Sequence, residues 1–270
     1  MAIERILGTE TGKSAFEKTD RNMVKLDADL EGLKLDHGSK FLDNAGAHNS
    51  IYRGKYLGNT VTAAQYSAIS SGAFTDLYIG DYWTINGVHW RIAAFNYYRN
   101  TGDSLLPGNH ITIVPDTQLY THAMNPTNIT TGGYVGSDMY VNGLEQAKTI
   151  IRGIFGSHLV KHRQYLCNAA TDGKASGAAY FDSEVDLMNE VMTYGSAING
   201  DATYGVYNIG LGKTQLPLFA LNPQSLNTRQ SYWLRDVSSA SYFAHVGNVG
   251  DAIFNGSGGA YGVRPAFSIS

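Results

Sequence analysis

Cysteine, charge and long apolar runs are all scarce in this chain, and each shortage removes a class of protein. One thiol, Cys167, cannot close a disulfide within the chain or by itself make a cysteine-based zinc site. It reads as a small buried hydrophobe. Charged residues make up 16% of the 270 positions, against about 25% in ordinary soluble domains. No Lys/Arg cluster accompanies the formal net charge of −3, so a nucleic-acid footprint is excluded. No apolar stretch approaches the ~20 residues that span a bilayer, and no membrane insertion is expected. Met1-Ala2-Ile3-Glu4-Arg5 lacks the basic-then-apolar order of a signal peptide, which predicts synthesis in a cytoplasm.

Glycine (31) and tyrosine (18), with Ser, Asn and Thr, fill the space that charge leaves. That mixture predicts a turn-rich, β-rich protein with a neutral polar surface. Recognition surfaces share it, because Tyr supplies contact area at low entropy cost. A protein made inside a cell but suited to touching the outside of one can leave by lysis, as virion parts do.

The N-terminal arm carries a capping box at Ser14-Ala15-Phe16-Glu17. Phe16, Met23 and Leu30 then fall seven apart, with Thr19, Leu26 and Leu33 on the neighbouring row. This heptad stripe predicts a helix ended by Gly32 and Asp36-His37-Gly38-Ser39, either lying on its own domain or self-associating at the root of a fibre. The spans follow as arm 1–43, linker 44–62 and globular body 63–270.

In the body, Trp83 to Ile92 around Asn86-Gly87 is a hairpin signal. Ile111 to Val114 reads as a third strand, and Ser137 to Phe155 as an amphipathic helix with Ser137 or Asp138 at its N-cap. A second helix is expected from Ser183 to Tyr194, with Asp182, Glu184, Asp186 and Glu190 on its solvated face. Tyr204–Ile209 and Leu216–Leu221 are strand candidates, followed by the apolar pieces Tyr232–Arg235 and Gly262–Ile269. Strands, two helices, then strands predict an α+β domain with a mostly antiparallel sheet.

No catalytic constellation stands out. Gly210-Leu211-Gly212-Lys213-Thr214 resembles a phosphate-binding loop, but Tyr207 occupies the place of its first glycine and Pro217 follows where a helix is needed. His158 and His162 have metal-ligand spacing only if one helix carries both, and the solvated end of a helix explains them as well. The expectation is no metal and no cofactor.

The body resembles the DUF6273-like group of phage and prophage structural proteins, which has a C-type-lectin-like fold. The resemblance rests on Val88-His89-Trp90-Arg91-Ile92, Tyr134-Val135-Gly136-Ser137-Asp138-Met139-Tyr140, Leu187-Met188-Asn189-Glu190 and Leu218-Phe219-Ala220-Leu221. It rests most of all on the paired ending Tyr232-Trp233-Leu234-Arg235 and Gly262-Val263-Arg264-Pro265-Ala266. It implies a homotrimeric virion fibre or receptor-binding protein. An N-terminal arm would join other virion proteins, and a head would adsorb to a host-surface glycan or protein. Calcium-dependent sugar chelation is not implied, because Asn222-Pro223-Gln224 stands nearest to the lectin triplet. Formylglycine-type oxidase chemistry, which needs a cysteine pair, is not implied either.

Under this reading Phe16, Met23, Leu26, Leu30 and Leu33 mediate oligomerisation, and Trp90, Trp233, Arg235, Arg264 and Pro265 form a framework. Ligand recognition falls on loop residues Asp236, Ser238, Tyr242, His245, Asn248, Asp251, Asn255 and Tyr261, each of which also fits an ordinary loop. A non-enzymatic adsorption protein is expected, located in the virion. The same signs fit a decoration protein without a ligand, and a carbohydrate-active enzyme would need a carboxylate pair in a cleft.

Overall fold

A computed structural model describes residues 12–41, 45–200 and 214–270. The chain is mixed α+β with mostly antiparallel sheets. Helix α1 spans Gly12–Phe41, so it begins before the expected capping box and runs on through Gly32 and the Asp36–Ser39 segment. Phe16, Met23, Leu26 and Leu30 are all exposed on it. Short helices α2 (Ala45–His48) and α3 (Ala63–Ser71) follow.

Strands β1 (Tyr82–Ile85) and β2 (Val88–Phe95) form the hairpin that the sequence signals. Its turn residues have φ of 52° at Asn86 and 78° at Gly87, the left-handed pair that a two-residue hairpin of matching twist requires. Strand β3 (Ile111–Pro115) continues the first sheet, whose order is β1-β2-β3-β12-β7. Here β7 is Val185–Leu187 and β12 is Pro265–Ile269. The second sheet runs β10-β9-β8-β11-β4, built from β4 (Tyr120–Ala123), β8 (Tyr232–Val237), β9 (Tyr242–Val246), β10 (Ala252–Gly256) and β11 (Ala260–Val263). A separate hairpin joins β5 (His162–Thr171) to β6 (Lys174–Ser183).

The helix expected over 137–155 is a π turn at Met139–Gly143 leading into α4 (Leu144–Phe155). The Ser137 hydroxyl accepts from the Tyr140 amide at 3.2 Å. Leu144, Ala147, Ile151 and Phe155 are buried on one face, spaced as a helical stripe requires. Phe155 meets Trp90 edge-on at 5.6 Å and Phe267 at 5.0 Å, so one aromatic from each of α4, β2 and β12 seats the helix on the first sheet. Burying side chains of this size contributes about 1.5–3 kcal/mol each.

Two expected elements are overturned. The second helix is not continuous from Ser183: that region is the end of β6 and then β7, and only Glu190–Tyr194 is helical (α5), capped by Asn189, whose side chain accepts from the Met192 amide. Asp186 and Glu190 are consequently buried rather than solvated. Leu216–Leu221 is not a strand. Pro217 opens helix α6 (Pro217–Leu221), a position where its missing N–H costs nothing. The strand candidate Tyr204–Ile209, and residues 210–213 of the phosphate-loop look-alike, lie outside the described residues.

The span read as a linker lies along the open edge of β1. Arg53 N–H donates to Ile79 O at 2.9 Å, Tyr82 N–H to Lys55 O at 2.9 Å, and Leu57 N–H to Tyr82 O at 2.8 Å, with parallel bridges Tyr52–Ile79 and Tyr56–Tyr82. Pairing of this kind covers an edge that would otherwise present unpaired backbone groups. The Asp81 carboxylate, fully buried, locks it: Arg53 Nη2 lies at 2.6 Å and the Lys55 amide at 2.8 Å.

The expected framework residues Trp90, Trp233, Arg235, Arg264 and Pro265 are all buried. Arg264 stands between β11 and β12, where the chain passes from one sheet to the other. Its guanidinium donates to Pro115 O at 2.8 Å and to the Tyr232 hydroxyl at 2.9 Å. With no carboxylate beside it among the described residues, those acceptors and the Tyr232 ring, 5.0 Å from Cζ, satisfy the buried charge.

Candidate functional site

A groove of about 450 Å³ is lined by residues from distant parts of the chain: Tyr52, His89 and Arg91 of β2, Asp116 and Thr117 after β3, and the 222–229 stretch after α6. Strand alternation explains the β2 contribution. Trp90 and Ile92 point into the core, so His89 and Arg91 point out. Arg91 and Asp116 form a two-pronged ion pair with Nη2 at 2.5 Å from the carboxylate, and Arg91 also donates to Gly80 O. Its guanidinium stacks over Tyr82 at 4.6 Å. Burial lowers the Arg91 pKa, but hydrogen bonding and charge at Asp116 more than offset it, and the net displacement is upward.

Tyr52 also lines the groove. Its ring packs on the backbone of Gly80, where a β-carbon would lie 2.2 Å from Tyr52 Cε2 and where φ is +85°. No other residue type suits that position. Asn222 fixes the other end of the ring, its amide donating to the Tyr52 hydroxyl at 2.9 Å. The ring is therefore held in place yet remains 39% exposed. Tyr56 and Tyr82 extend the aromatic surface beside it, with centroids 5.7 Å apart. Also in the lining, Asn227 Oδ1 accepts from the Arg229 amide at 2.9 Å, and Arg229 sits in a left-handed turn with φ of 60°.

A fixed aromatic face beside amides, hydroxyls, a carboxylate and a guanidinium is the chemistry of saccharide recognition: rings stack on C–H surfaces while polar groups bond the hydroxyls. A second cleft of about 200 Å³, lined by Tyr140, Lys148, Arg152 and residues 182–186, has much of its charge spent internally. Lys148 pairs with Glu145, and Arg152 with Glu184.

The residues expected to bind ligand do not form one surface. Asp236 and His245 are buried. Asp236 Oδ2 accepts from the Glu190 amide at 2.8 Å, and His245 stacks on Tyr261 at 4.8 Å. Burial raises the Asp236 pKa well above the carboxylate range and lowers that of His245 to about 4. Tyr261 is partly exposed and accepts from the exposed Asn255 amide. Tyr242 stacks instead on Phe254 at 5.5 Å. Ser238 is half-buried, and Asn248 and Asp251 are exposed in the turn between β9 and β10. The segment expected to be loops holds the end of β8, all of β9 and β10 and the start of β11, so only part of it faces solvent.

The carboxylates misplaced by the helical reading build a buried polar layer between the sheets. Asp186 accepts from the Tyr134 hydroxyl at 3.0 Å and from Ser183, and burial raises its pKa. The Glu190 carboxylate accepts from the amides of Ile198, Asn199 and Gly200 at 2.7–3.0 Å, tying down the chain after α5. His158 and His162 part company: the first stacks on Tyr66 and bonds Ser270 O, the second stacks on Tyr98. Among the described residues no cluster of three or more potential ligands could hold a metal ion, and no helix is long and apolar enough to cross a membrane. Cys167 is buried, and burial raises its thiol pKa.

Comparison with family models, with curated proteins and with solved structures gives no match.

Proposed function

We propose that this chain is a virion fibre or receptor-binding protein of the DUF6273-like kind. Its C-type-lectin-like head adsorbs to a glycan on a host surface, and its N-terminal helix joins three copies and meets other virion proteins. The observation that carries the reading is the Tyr52 groove, a held and partly exposed aromatic face beside the polar side chains of Thr117, Gln224 and Ser225. The two five-stranded sheets, joined through Arg264, agree with a lectin-like head. The exposed stripe Phe16, Met23, Leu26 and Leu30 supports self-association, since a helix with an uncovered apolar face gains most of its stability by packing. Recognition moves from the 236–261 segment to the groove, and no catalytic role is assigned.

Binding of the purified protein to host cell-wall glycans tests the reading. Tyr52→Ala should abolish binding and leave the fold intact. Binding that survives this change would place recognition outside the groove, and no binding by the folded protein would favour a decoration protein.

A further inference from the structure

Charge in the groove is unevenly committed. Arg91 and Asp116 neutralise each other in their two-pronged pair, His89 Nδ1 is engaged by the Thr84 hydroxyl at 2.8 Å, and the Asn222 amide is held by Tyr52. Arg229 differs from all of these. It is exposed, lines the groove, and makes no ion pair with any described residue. Its backbone is fixed on both sides: Asn227 Oδ1 receives its N–H, and the Thr228 hydroxyl donates to Gln230 O at 2.5 Å. The lining thus carries one uncompensated positive charge on a chain whose formal net charge is −3.

We propose that the groove selects an anionic saccharide, with Arg229 engaging its carboxylate or phosphate and Tyr52 stacking on the sugar ring. The proposal rests on the glycan-binding reading and names the class of glycan. A neutral sugar needs hydroxyl partners, which Thr117, Gln224 and Ser225 of the lining already supply. A guanidinium fork adds what only an oxyanion uses in full, two parallel charge-assisted hydrogen bonds. The Arg91–Asp116 pair keeps the other charged groups of the lining neutral, so the anion is placed at Arg229. A uronic acid and a polyol phosphate present the same oxyanion chemistry.

Calorimetric titration of the full-length protein with trigalacturonate, a glycerol-phosphate oligomer and neutral maltotriose tests this. At least one acidic probe should bind more tightly than maltotriose, with affinity falling as salt rises. Arg229→Gln should weaken that probe about tenfold or more while leaving the melting temperature unchanged. The probe that responds identifies carboxylate or phosphate as the preferred anion. If maltotriose binds as tightly as the acidic probes, or Arg229→Gln changes nothing, the anion proposal is overturned and the glycan head stands. If neither acidic probe binds, the proposal is also overturned, and the glycan reading survives only if maltotriose binds.

Discussion

The Asn222 amide reaches the Tyr52 hydroxyl across 170 residues of sequence, at 2.9 Å. That bond couples the stretch after α6 to the segment along β1. Asn222→Ala should therefore act on binding more than on folding. An exposed hydrogen bond contributes about 0.5–1.5 kcal/mol at most, so the melting temperature should fall only slightly. Glycan affinity should drop severalfold as Tyr52 loses its hold. Equal affinity in the variant would show that the ring needs no such support.

Gly80→Ala should do the reverse. A methyl group there meets the Tyr52 ring in a backbone conformation of φ +85°, so either the ring leaves the groove wall or the turn distorts. A residue forced into such a region costs on the order of 1–3 kcal/mol. Thermal denaturation should show the loss, and glycan binding should weaken with it.

Asp81→Ala removes the acceptor of Arg53 and of the Lys55 and Tyr78 amides in a buried position. Breaking a buried pair from one side costs about 3–5 kcal/mol. Urea unfolding should record a loss of that size, and limited proteolysis should cut near residues 50–58 in the variant but not in the parent.

Acid should destabilise the head through two histidines. His110 accepts the Tyr98 N–H at Nε2, at 3.0 Å, and donates from Nδ1 to Gly108 O, so its neutral form is the one that fits. Burial lowers the pKa of His110 and of His245 to about 4, from 6.5. Between those values the unfolded chain binds more protons than the folded one, so the stability these residues contribute is lost as pH falls from 6.5 to about 4. Asp186 and Asp236 act with the opposite sign. Their raised pKa values make a contribution that is full below 3.8 and is lost as pH rises through the folded-state value. The carboxyl contributions are common to parent and variant, so the urea midpoint of the parent minus that of His110→Gln should shrink as pH falls from 6.5 toward 4.

Met23→Asp with Leu30→Asp places charge on the exposed stripe of α1. Sedimentation should change from three times the chain mass to the chain mass while the melting transition of the head stays in place. A parent protein that sediments as a monomer would remove the fibre from the proposed function.

Elements with strong local signals were legible in the sequence. Asn86-Gly87 dictates its own turn, and Leu144, Ala147, Ile151 and Phe155 repeat at helical spacing. The region 183–194 was not, because Leu187, Val191 and Tyr194 satisfy a helical stripe while Val185 and Leu187 satisfy a strand. The acid between those two, Asp186, argued for a surface that tertiary hydrogen bonds override. Pro217 is a readable sign of a helix start inside an apolar run whose composition suits a strand. The β5–β6 hairpin is rich in alanine, which gives no β signal, although its Asp172-Gly173 turn did offer one. Nothing local announced the groove, because Tyr52, Arg91, Asp116, Asn222 and Arg229 meet only through the fold.

The parallel pairing of residues 51–58 with 79–84 also has a mechanical consequence. Tension drawn along that segment loads its backbone hydrogen bonds and the Arg53–Asp81 pair together. They resist in shear, as a group, rather than opening one after another as a zipper does. Tyr52 lies inside the same segment, so such a load would be felt at the groove.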